Sequence, residues 1–376
     1  MSKIAFLVDT PTAWQSGIWF HRNETPSVGL RGRGHGVKQL VLTKDLPQDY
    51  LEFPDTVIFG RTYPPVSDAV KNMIEFKKAG KRVLYDIDDD FWAVSKDNPS
   101  VMVSNAFKDQ YEGMMKECDA ITTPSEVLGR KIQKLVKKPV FICPNAIDYD
   151  VYYERPRAYQ GLPDNVVTIG YMGAASHWKD LSLIVDVLEA LHKKYNFFFI
   201  LYGLTGEPLE AAMYTYDRLN RGNFFPEKKA YFESALDFYS HLKKIRMIHI
   251  PFFPPEIHPS ILSRADMDIG LAPLEDTEFN RGKSNIKFYE YAAVGTVTLA
   301  SDVEPYKSEV NYRAKNNFKD WYEKLEKLIV DVEFRKKLLK EQQDWVKENR
   351  DIKKVALNWE IACQKPGGLE VLNQQR

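Results

Sequence analysis

The sequence has no excess of either charge sign. Its 376 residues include 52 lysines and arginines against 52 aspartates and glutamates, so the formal net charge is zero with histidines neutral. A balanced chain has no global field that would draw it to nucleic acid or to an anionic membrane surface. Functions that depend on a strongly basic protein are therefore not favoured, although a local basic face is compatible with this balance.

Cysteines are few, and long apolar runs are absent. Cys118, Cys143 and Cys363 lie far apart and are odd in number, which fits neither a zinc site nor a disulfide framework and favours a reducing compartment. The apolar run at residues 4–8 is too short for a signal-peptide core, and no later run approaches the roughly 20 residues of a membrane span. We expect a cytoplasmic protein without a transmembrane segment.

The chain is long and apolar enough for two cores. Hydrophobic residues make up 44% of it, and its length exceeds the size at which a single core usually stops growing. Strand-like runs, many continuously apolar, alternate with helical patterns, which is typical of strands covered on both faces. These runs are KIAFLVD, TVIFG, KRVLYDI, AITTPS, VFICPN, VVTIGYMG, NFFFILYG, MIHIPF, MDIGLAPL and TVTLAS. The sequence therefore predicts an α/β fold with parallel sheets.

A segment rich in proline, tyrosine and charge, residues 145–165, interrupts this alternation and is interpreted as a linker. On each side of it the chain starts with a strand, a glycine-bearing turn and a helix, which predicts two Rossmann-like halves. We expect helices at residues 67–79, 125–136, 181–195 and 284–293. The predicted domains are 1–150 and 165–315, followed by a helical tail, 316–376, that packs its apolar stripe from Phe318 onward on the first domain.

The stretch YDIDDDFW, residues 85–92, places four aspartates within five positions directly after an apolar run. Such carboxylates are able to hold Mg²⁺ or Mn²⁺, because hard cations take oxygen ligands. The other interpretations are an acid/base site and a strand end whose aspartates cap the next helix. The cluster alone does not decide among the three.

The segment 268–302 contains the strongest candidate for an anion site. A strand, a polar loop and a helix follow one another, and they place Lys283, Ser284 and Asn285 at a helix N-terminus. Free backbone N–H groups and the positive end of the helix dipole suit a phosphate there. Glu290 lies two turns further on, where its carboxylate is able to accept two hydrogen bonds from a ribose diol. Alternatively, Ser284 only caps the helix and Glu290 is a solvated surface group.

A second glycine-bearing loop, residues 170–180, follows the first strand of the second half. Gly173 lets the backbone approach a ligand closely, and Lys179 enters the next helix, where it would meet a diphosphate. With the Lys283 loop it forms one anion pocket at the carboxyl edge of the predicted sheet, where open α/β sheets bind ligands. His177 either contacts a phosphate or sugar, or is an exposed histidine without a task.

The run FNRGKSNIKFYEYAAVGTVTLAS resembles the donor-binding motif of family-4 type GT-B glycosyltransferases, which are retaining enzymes that use nucleotide-diphosphate sugars. The resemblance continues in IGYMGAASHWKDL, TPSEVLGRKI, PNAID and SGIWFHRNETPSVGLRGRGHGV, in the order of that family and over most of the chain. It implies two Rossmann-like domains facing a cleft, with the nucleotide sugar bound by the second. It also implies that Gly17 approaches the donor or acceptor from the first, with Arg22 and Arg61 as nearby cations.

One position departs from the family pattern. The family has two glutamates eight positions apart; Glu290 matches the second, whereas Gly282 stands in the place of the first. The first glutamate usually helps to hold the transferred sugar. The resemblance therefore implies that this contact comes from elsewhere, with the neighbouring Lys283 as a substitute.

The resemblance also guides the interpretation of YDIDDDFW. GT-B enzymes generally neutralise the leaving diphosphate with cationic side chains and helix dipoles, and not with a metal on an Asp-x-Asp motif. We therefore expect no metal site. Asp88 or Asp89 is expected to orient or deprotonate the acceptor hydroxyl, and Asp86 and Asp90 to be structural. Lys283 is the third catalytic candidate, because it stabilises charge on the leaving diphosphate.

The sequence thus predicts a retaining glycosyltransferase that moves a sugar from a nucleotide-diphosphate sugar to an acceptor hydroxyl, without a cofactor or an essential metal. The alternatives are a GT-B sugar-nucleotide epimerase, a metal-dependent GT-A transferase built on the aspartate cluster, and an inactive nucleotide-sugar-binding module. A saccharide, a lipid-linked sugar, a protein and a modified DNA base all stay open as acceptor, as does the oligomeric state. The aromatic segment 204–244 is an acceptor platform, a dimer contact or a pair of self-packing helices.

Overall fold

Two six-stranded parallel sheets form the framework of the protein. The computed structural model describes residues 1–8, 16–42, 46–60, 68–94, 101–154, 166–173, 177–203 and 226–364. Helices surround both sheets, so the predicted α/β fold with two parallel sheets is confirmed. None of the helices in these ranges is long and apolar enough to cross a membrane.

Strands of the first sheet come before the predicted linker and strands of the second come after it. The first sheet has β1 (Lys3–Val8), β2 (Gly36–Val41), β3 (Thr56–Phe59), β4 (Arg82–Asp86), β5 (Ala120–Thr123) and β6 (Val140–Ile142). The second has β7 (Val167–Met172), β8 (Phe197–Tyr202), β9 (Met247–Ile250), β10 (Ile269–Ala272), β11 (Val297–Ser301) and β12 (Arg313–Ala314). Every residue of β3 and β8 is buried, because successive side chains point to opposite faces and helices cover both.

The ten predicted strands are all present, whereas the sequence does not predict β2 and β12. Strand β2 lies at the edge of the first sheet, and its residues are half-buried or exposed. Polar residues such as Lys38 and Gln39 therefore interrupt the apolar run that marks the interior strands. Strand β12 has only two residues, too few for any period to show.

Helices connect most of the successive strands, as parallel pairing requires. In the described chain they are α1 (Gly17–Trp19), α2 (Thr25–Gly32), α3 (Gln48–Glu52), α4 (Ala69–Lys78), α5 (Val101–Glu117), α6 (Glu126–Leu135), α7 (Trp178–Ser182), α8 (Val185–Lys194), α9 (Pro226–Leu242), α10 (His258–Ala265), α11 (Glu278–Arg281), α12 (Ile286–Ala293), α13 (Phe318–Val330), α14 (Val332–Arg350) and α15 (Ile352–Gln364). A π-helical turn, Phe20–Glu24, joins α1 to α2.

Two helix predictions need correction. The helix expected at 181–195 is divided into α7 and α8, because Ile184 between them leaves the helical region of backbone conformation, with ψ near 7°. The helix expected from Ser284 begins at Ile286, with Asn285 as its N-cap residue. The apolar face predicted for α8 is buried in the second-domain core.

The strand order determines where a ligand-binding crevice opens at the edge of each sheet. In the order β2-β1-β3-β4-β5-β6 the chain reverses direction across the sheet between β1 and β3, and in the order β12-β11-β10-β7-β8-β9 it does so between β7 and β10. Connections leave such neighbouring strands toward opposite faces, so a crevice opens beyond their carboxyl ends. Gly173 directly follows β7, and Gly17, the first residue of α1, is the start of the first helix after β1 in the described chain.

The C-terminal tail returns to the first domain through its last helix, as predicted. Trp359 of α15 packs against Phe6 of β1, with ring centroids 5.8 Å apart. The stripe that starts in α13 packs differently from the prediction: Trp321 and Leu325 are buried in the core of the second domain. The domain boundaries at residues 150, 165 and 315 stay predictions.

Of the aromatic segment 204–244, residues 204–225 lie outside the described chain. The remainder contains the whole of α9, which buries Phe238 and Tyr239 in the second-domain core. This part of the segment is therefore packed on its own domain.

Replacing Trp359 tests the contribution of the returning tail. Trp359→Ala removes a side chain that is 1% exposed and is expected to lower the free energy of unfolding by about 3–5 kcal/mol. Leu357→Ala on the same helix is the control, because Leu357 is 44% exposed and its loss should cost no more than about 0.5 kcal/mol. Urea denaturation measures both, and equal small losses would mean that α15 adds little to the first domain.

Candidate active site

A cavity of about 580 Å³ lies between the two domains. Its walls come from the carboxyl ends of both sheets, and its volume is in the usual range for small-molecule sites. Nine of the ten predicted site residues line it, namely Gly17, Asp88, Asp89, Gly173, His177, Lys179, Lys283, Ser284 and Glu290. The structure thus brings these residues together, while their individual roles stay predictions.

Asn285 is the predicted site residue that does not line the cavity. Its side-chain amide donates to Glu309 Oε2 at 2.6 Å, on the side of the helix that faces its own domain. Ser284, in contrast, does line the cavity, and its hydroxyl accepts a hydrogen bond of 2.8 Å from Asn145. Asn285 occupies the N-cap position of α12 without a side-chain capping hydrogen bond, and its predicted donor contact stays a prediction.

The second-domain wall is electropositive at the N-terminus of α12. Lys283 lies in the loop before this helix and Lys287 lies in its first turn, and both residues line the cavity. Burial and the Lys283 charge lower the pKa of Lys287 to about 8. The first N–H groups of a helix have no intrahelical acceptor, and they add partial positive charge at the same place.

The positive charges of Lys283 and Lys287 also lower the pKa of His177. The charge of Lys283, then burial and Lys287, lower the pKa of His177 to about 4, so its ring is neutral at pH 7. Its Nδ1 lies 3.0 Å from Oδ2 of the buried Asp180, whose other oxygen accepts the Glu275 backbone N–H at 3.0 Å. Because an ionised carboxylate only accepts, Nδ1 carries the proton and Nε2 is the acceptor nitrogen. His177 is thus an oriented side chain.

Glu290, on the same helix α12, lines the cavity and is buried, with 3% of its surface exposed. Its Oε1 accepts from the Tyr152 hydroxyl and lies 3.0 Å from His258 Nε2 and 3.4 Å from His21 Nε2. Burial alone would raise the pKa of Glu290, but the two histidines outweigh it and hold the pKa well below its ordinary value. The alternative of a solvated surface group is therefore wrong.

A hydrogen-bond chain fixes one oxygen of Glu290. The hydroxyl of Tyr202 lies 2.7 Å from His258 Nδ1, and the other ring nitrogen of His258 meets Glu290 Oε1. Because the carboxylate only accepts, His258 Nε2 is the donor of this bond. All contacts of the Glu290 carboxylate with the described residues go to Oε1. Oε2 is thus left to accept from a ligand.

The four aspartates of YDIDDDFW fall into two pairs with different surroundings. Asp88 and Asp89 follow β4, are half-buried and line the first-domain wall of the cavity. Asp86 and Asp90 are buried and paired, with Arg22 and Lys131 respectively. In the described chain no group of three or more His, Cys, Asp or Glu side chains is placed to hold a metal ion.

Arg22 supports the first domain. Its guanidinium makes two hydrogen bonds to Asp86, of 2.6 and 2.9 Å, and donates to the Cys143 carbonyl and the Asn145 side chain at 2.7 and 2.8 Å. Four of the five guanidinium N–H groups are thus engaged; Arg22 also lines the cavity, and its contact with a phosphate stays a prediction. Arg61, the other candidate cation, lies outside the described residues.

Sequence reasoning missed four side chains of this site: Lys287, His21, His258 and Tyr152. A signal was available for Lys287, since it lies four positions after Lys283 in a predicted helix and so shares its face. The other three come from the π-helical turn, from α10 and from the linker region, and only the tertiary fold brings them to Glu290.

The fold resembles solved structures, whereas comparisons with protein-family models and with curated proteins gave no match. HepE from Anabaena, whose crystal structure is in complex with UDP and glucose, superposes with a TM-score of 0.63 at 12% identity over 96% of this chain and 98% of HepE. A UDP-forming trehalose-phosphate synthase from Burkholderia xenovorans gives 0.60 at 10% identity, over 97% and 99% of the two chains.

A third similar structure is a trehalose-6-phosphate synthase studied for glycosyl transfer with retention. Its TM-score is 0.54 at 14% identity, over 94% of this chain and 85% of the synthase. At such low identity the likeness establishes the fold alone. Two facing parallel sheets, a cavity between their carboxyl edges and a tail that returns to the first domain give this chain the GT-B fold.

Proposed function

We propose that this protein is a glycosyltransferase that moves a sugar from a nucleotide-diphosphate sugar to an acceptor hydroxyl with retention of configuration. The observation that carries the proposal is the convergence of Lys283, Lys287 and the N-terminus of α12 on the cavity between the domains. The GT-B neighbours support it, since HepE binds UDP and glucose and a trehalose-6-phosphate synthase transfers a sugar with retention.

The electropositive second-domain wall at the N-terminus of α12 binds the diphosphate. Lys283, Lys287 and the free N–H groups of the first turn of α12 lie at one end of the cavity, and the Lys283 charge is the largest cause of the lowered pKa of His177. As the bond from the anomeric carbon to the β-phosphate oxygen breaks, negative charge grows on the diphosphate. Lys283, Lys287 and the helix dipole stabilise it where it forms, with Lys179 lining the same wall.

Glu290 accepts a hydrogen bond from the ribose, and His177 accepts one from a hydroxyl of the transferred sugar. The ionised Glu290 offers Oε2 as an acceptor, while Tyr152 and His258 hold Oε1 and so orient the group. His177, with its proton on Nδ1, offers Nε2 as an acceptor, which suits a hydroxyl better than a phosphate oxygen. This contact provides part of what the missing glutamate at position 282 would otherwise supply.

The acceptor enters from the first-domain side, between Gly17 and the end of β4. Asp88 or Asp89 orients its hydroxyl, which attacks the anomeric carbon on the face that the diphosphate leaves. The hydroxyl proton passes to that carboxylate or to a leaving-group oxygen, and the sugar passes through an oxocarbenium-like state. No step of this scheme requires a metal ion.

Incubation with isotopically labelled nucleotide sugars, with and without EDTA, tests the proposal. Transfer or hydrolysis that survives EDTA is the expected result, and the configuration of the product reports retention. Epimerised nucleotide sugar would identify an epimerase instead, and tight binding without turnover would identify an inactive binding module. The GT-A alternative is wrong, because the two sheets form the GT-B fold.

Glu290→Gln is expected to weaken UDP binding by roughly 1–3 kcal/mol, because it removes a charge-assisted hydrogen bond to the ribose. Isothermal titration calorimetry measures the change. Glu333→Gln, at an exposed position on α14, is the matched control and should leave the affinity unchanged. If both variants bind UDP as the wild type does, Glu290 makes no contact to the nucleotide.

UDP affinity is expected to fall as the pH rises through about 8. Below that pH Lys287 is protonated in the free protein, and a bound diphosphate raises its pKa further; binding above pH 8 therefore requires proton uptake, at most a tenfold loss per pH unit. Titrations between pH 7 and 9.5 measure this, with Lys287→Met as the comparison. A Lys287→Met profile as steep as that of the wild type would assign the titration to another group.

Asp88→Asn and Asp89→Asn separate acceptor from donor functions. Both variants should keep their affinity for the nucleotide sugar within about 0.5 kcal/mol, whereas at least one should lower transfer by about 10²-fold. Donor calorimetry and transfer assays on the same preparations give the two numbers. Loss of donor binding together with loss of transfer would place the aspartates in the donor site.

A further inference from the structure

The donor loop, residues 278–285, is docked on the first domain. It contains α11 and runs through Gly282 and Lys283 to the cap of α12. The hydroxyl of Ser125 donates to the Gly282 carbonyl at 2.7 Å, and Lys131 Nζ donates to Glu278 Oε1, also at 2.7 Å. The backbone next to Lys283 is thus held by a side chain of the other domain.

These contacts come from one face of helix α6. Ser125 is its N-cap residue and also accepts the Leu128 backbone N–H at 3.3 Å. Ser125, Leu128 and Lys131 are spaced by three residues, which places them on the same side of the helix. Leu128 is the apolar part of the contact, since its Cβ lies 3.8 Å from the place of a Cβ at Gly282.

Lys131 is held in place by a buried aspartate. Its Nζ donates to Asp90 Oδ2 at 2.7 Å, and the Asp90 side chain is 3% exposed, whereas that of Glu278 is 71% exposed. An exposed ion pair alone contributes little, because ordering two long side chains offsets the attraction. In this case the buried pair with Asp90 has already ordered Lys131, so the second contact, to Glu278, requires little additional ordering.

Gly282 fits this docking surface. A Cβ at position 282 would lie 3.4 Å from Asp90 Cβ, which is ordinary contact, so a methyl group has room. The longer chain of a glutamate would begin between Asp90 and Leu128 and would add a second carboxylate close to Asp90. The position that departs from the family pattern is therefore a contact point between the domains.

We propose that Lys131, anchored by Asp90, is a positioning residue that docks the donor loop on the first domain and thereby sets Lys283 in the cavity. The role assigned to Lys283 rests on the proposed function, whereas the docking contact does not. The last aspartate of YDIDDDFW thus acts through Lys131 on the donor loop, while Asp88 and Asp89 line the cavity.

Hydrogen–deuterium exchange on the full chain without ligand tests the docking. Lys131→Met keeps the apolar stem and removes the ammonium, and it should speed amide exchange in residues 278–285 at least tenfold. Lys134→Met is the matched control, because Lys134 is exposed on the same helix, and it should leave that exchange unchanged. Unchanged exchange in Lys131→Met would overturn the proposal.

Lys131→Met leaves Asp90 buried without its partner and so risks destabilising the first domain. Glu278→Gln is therefore a second test of the same contact that does not carry this risk. Glu278→Gln removes only the negative charge from the contact between the domains, at an exposed position, and leaves the pair of Lys131 with Asp90 intact. It should also raise exchange in the donor loop, by less than Lys131→Met does, because Lys131 stays ordered by Asp90 and the glutamine oxygen still accepts from its ammonium group. A Glu278→Gln protein with wild-type exchange would show that the ion pair does not hold the loop.

Kinetics test the positioning. Lys131→Met should lower kcat about 10- to 100-fold while the KM for the donor changes less than about threefold, and Lys131→Arg should recover most of the activity. Faster loop exchange with unchanged kcat would overturn the positioning role. If the wild type transfers no sugar, the proposed function fails, and the exchange experiment still decides whether the loop is docked.

Discussion

Both sheets bury their two faces under helices, and this constraint leaves only the strand ends to build a site. Parallel strands need crossover helices, so their carboxyl ends meet at one edge, and the helices that follow begin there. The edges of the two sheets face each other across the cavity. The N-terminus of α12 is thereby directed into it, along with Lys283 and Lys287.

Within the cavity the charges are separated by domain and by depth. The cationic groups lie on the second-domain wall near α12, Glu290 lies deeper between two histidines, and the half-buried Asp88 and Asp89 lie on the first-domain wall. In the nucleotide sugar of the proposed function the anionic diphosphate lies between the ribose and the neutral sugar, so the cationic wall lies between the ribose partner Glu290 and the sugar and acceptor side. This match gives each wall a different task, while the contact between α6 and the donor loop keeps the walls together.

Much of the fold was predictable from the sequence, because interior strands of parallel sheets are continuously apolar and their turns contain glycine. The half-exposed edge strand β2 was not predicted, because polar residues interrupt the apolar run by which an interior strand is recognised. The start of α12 was misplaced because serine and asparagine are both good capping residues, so the sequence does not distinguish Ser284 from Asn285, which occupies the N-cap position. The site was predictable where it depends on one loop, as at Lys283. It was not predictable where segments distant in sequence converge, as at His21 and Tyr152.

A crystal structure of the protein with UDP bound tests the diphosphate site most directly. We predict diphosphate oxygens within about 2.7–3.2 Å of the Nζ atoms of Lys283 and Lys287 and of backbone nitrogens in the first turn of α12, with a ribose hydroxyl against Glu290 Oε2. A nucleotide whose diphosphate lies away from both lysines, or against Asp88 and Asp89 through a metal ion, would contradict the assignment of the second-domain wall as the donor site.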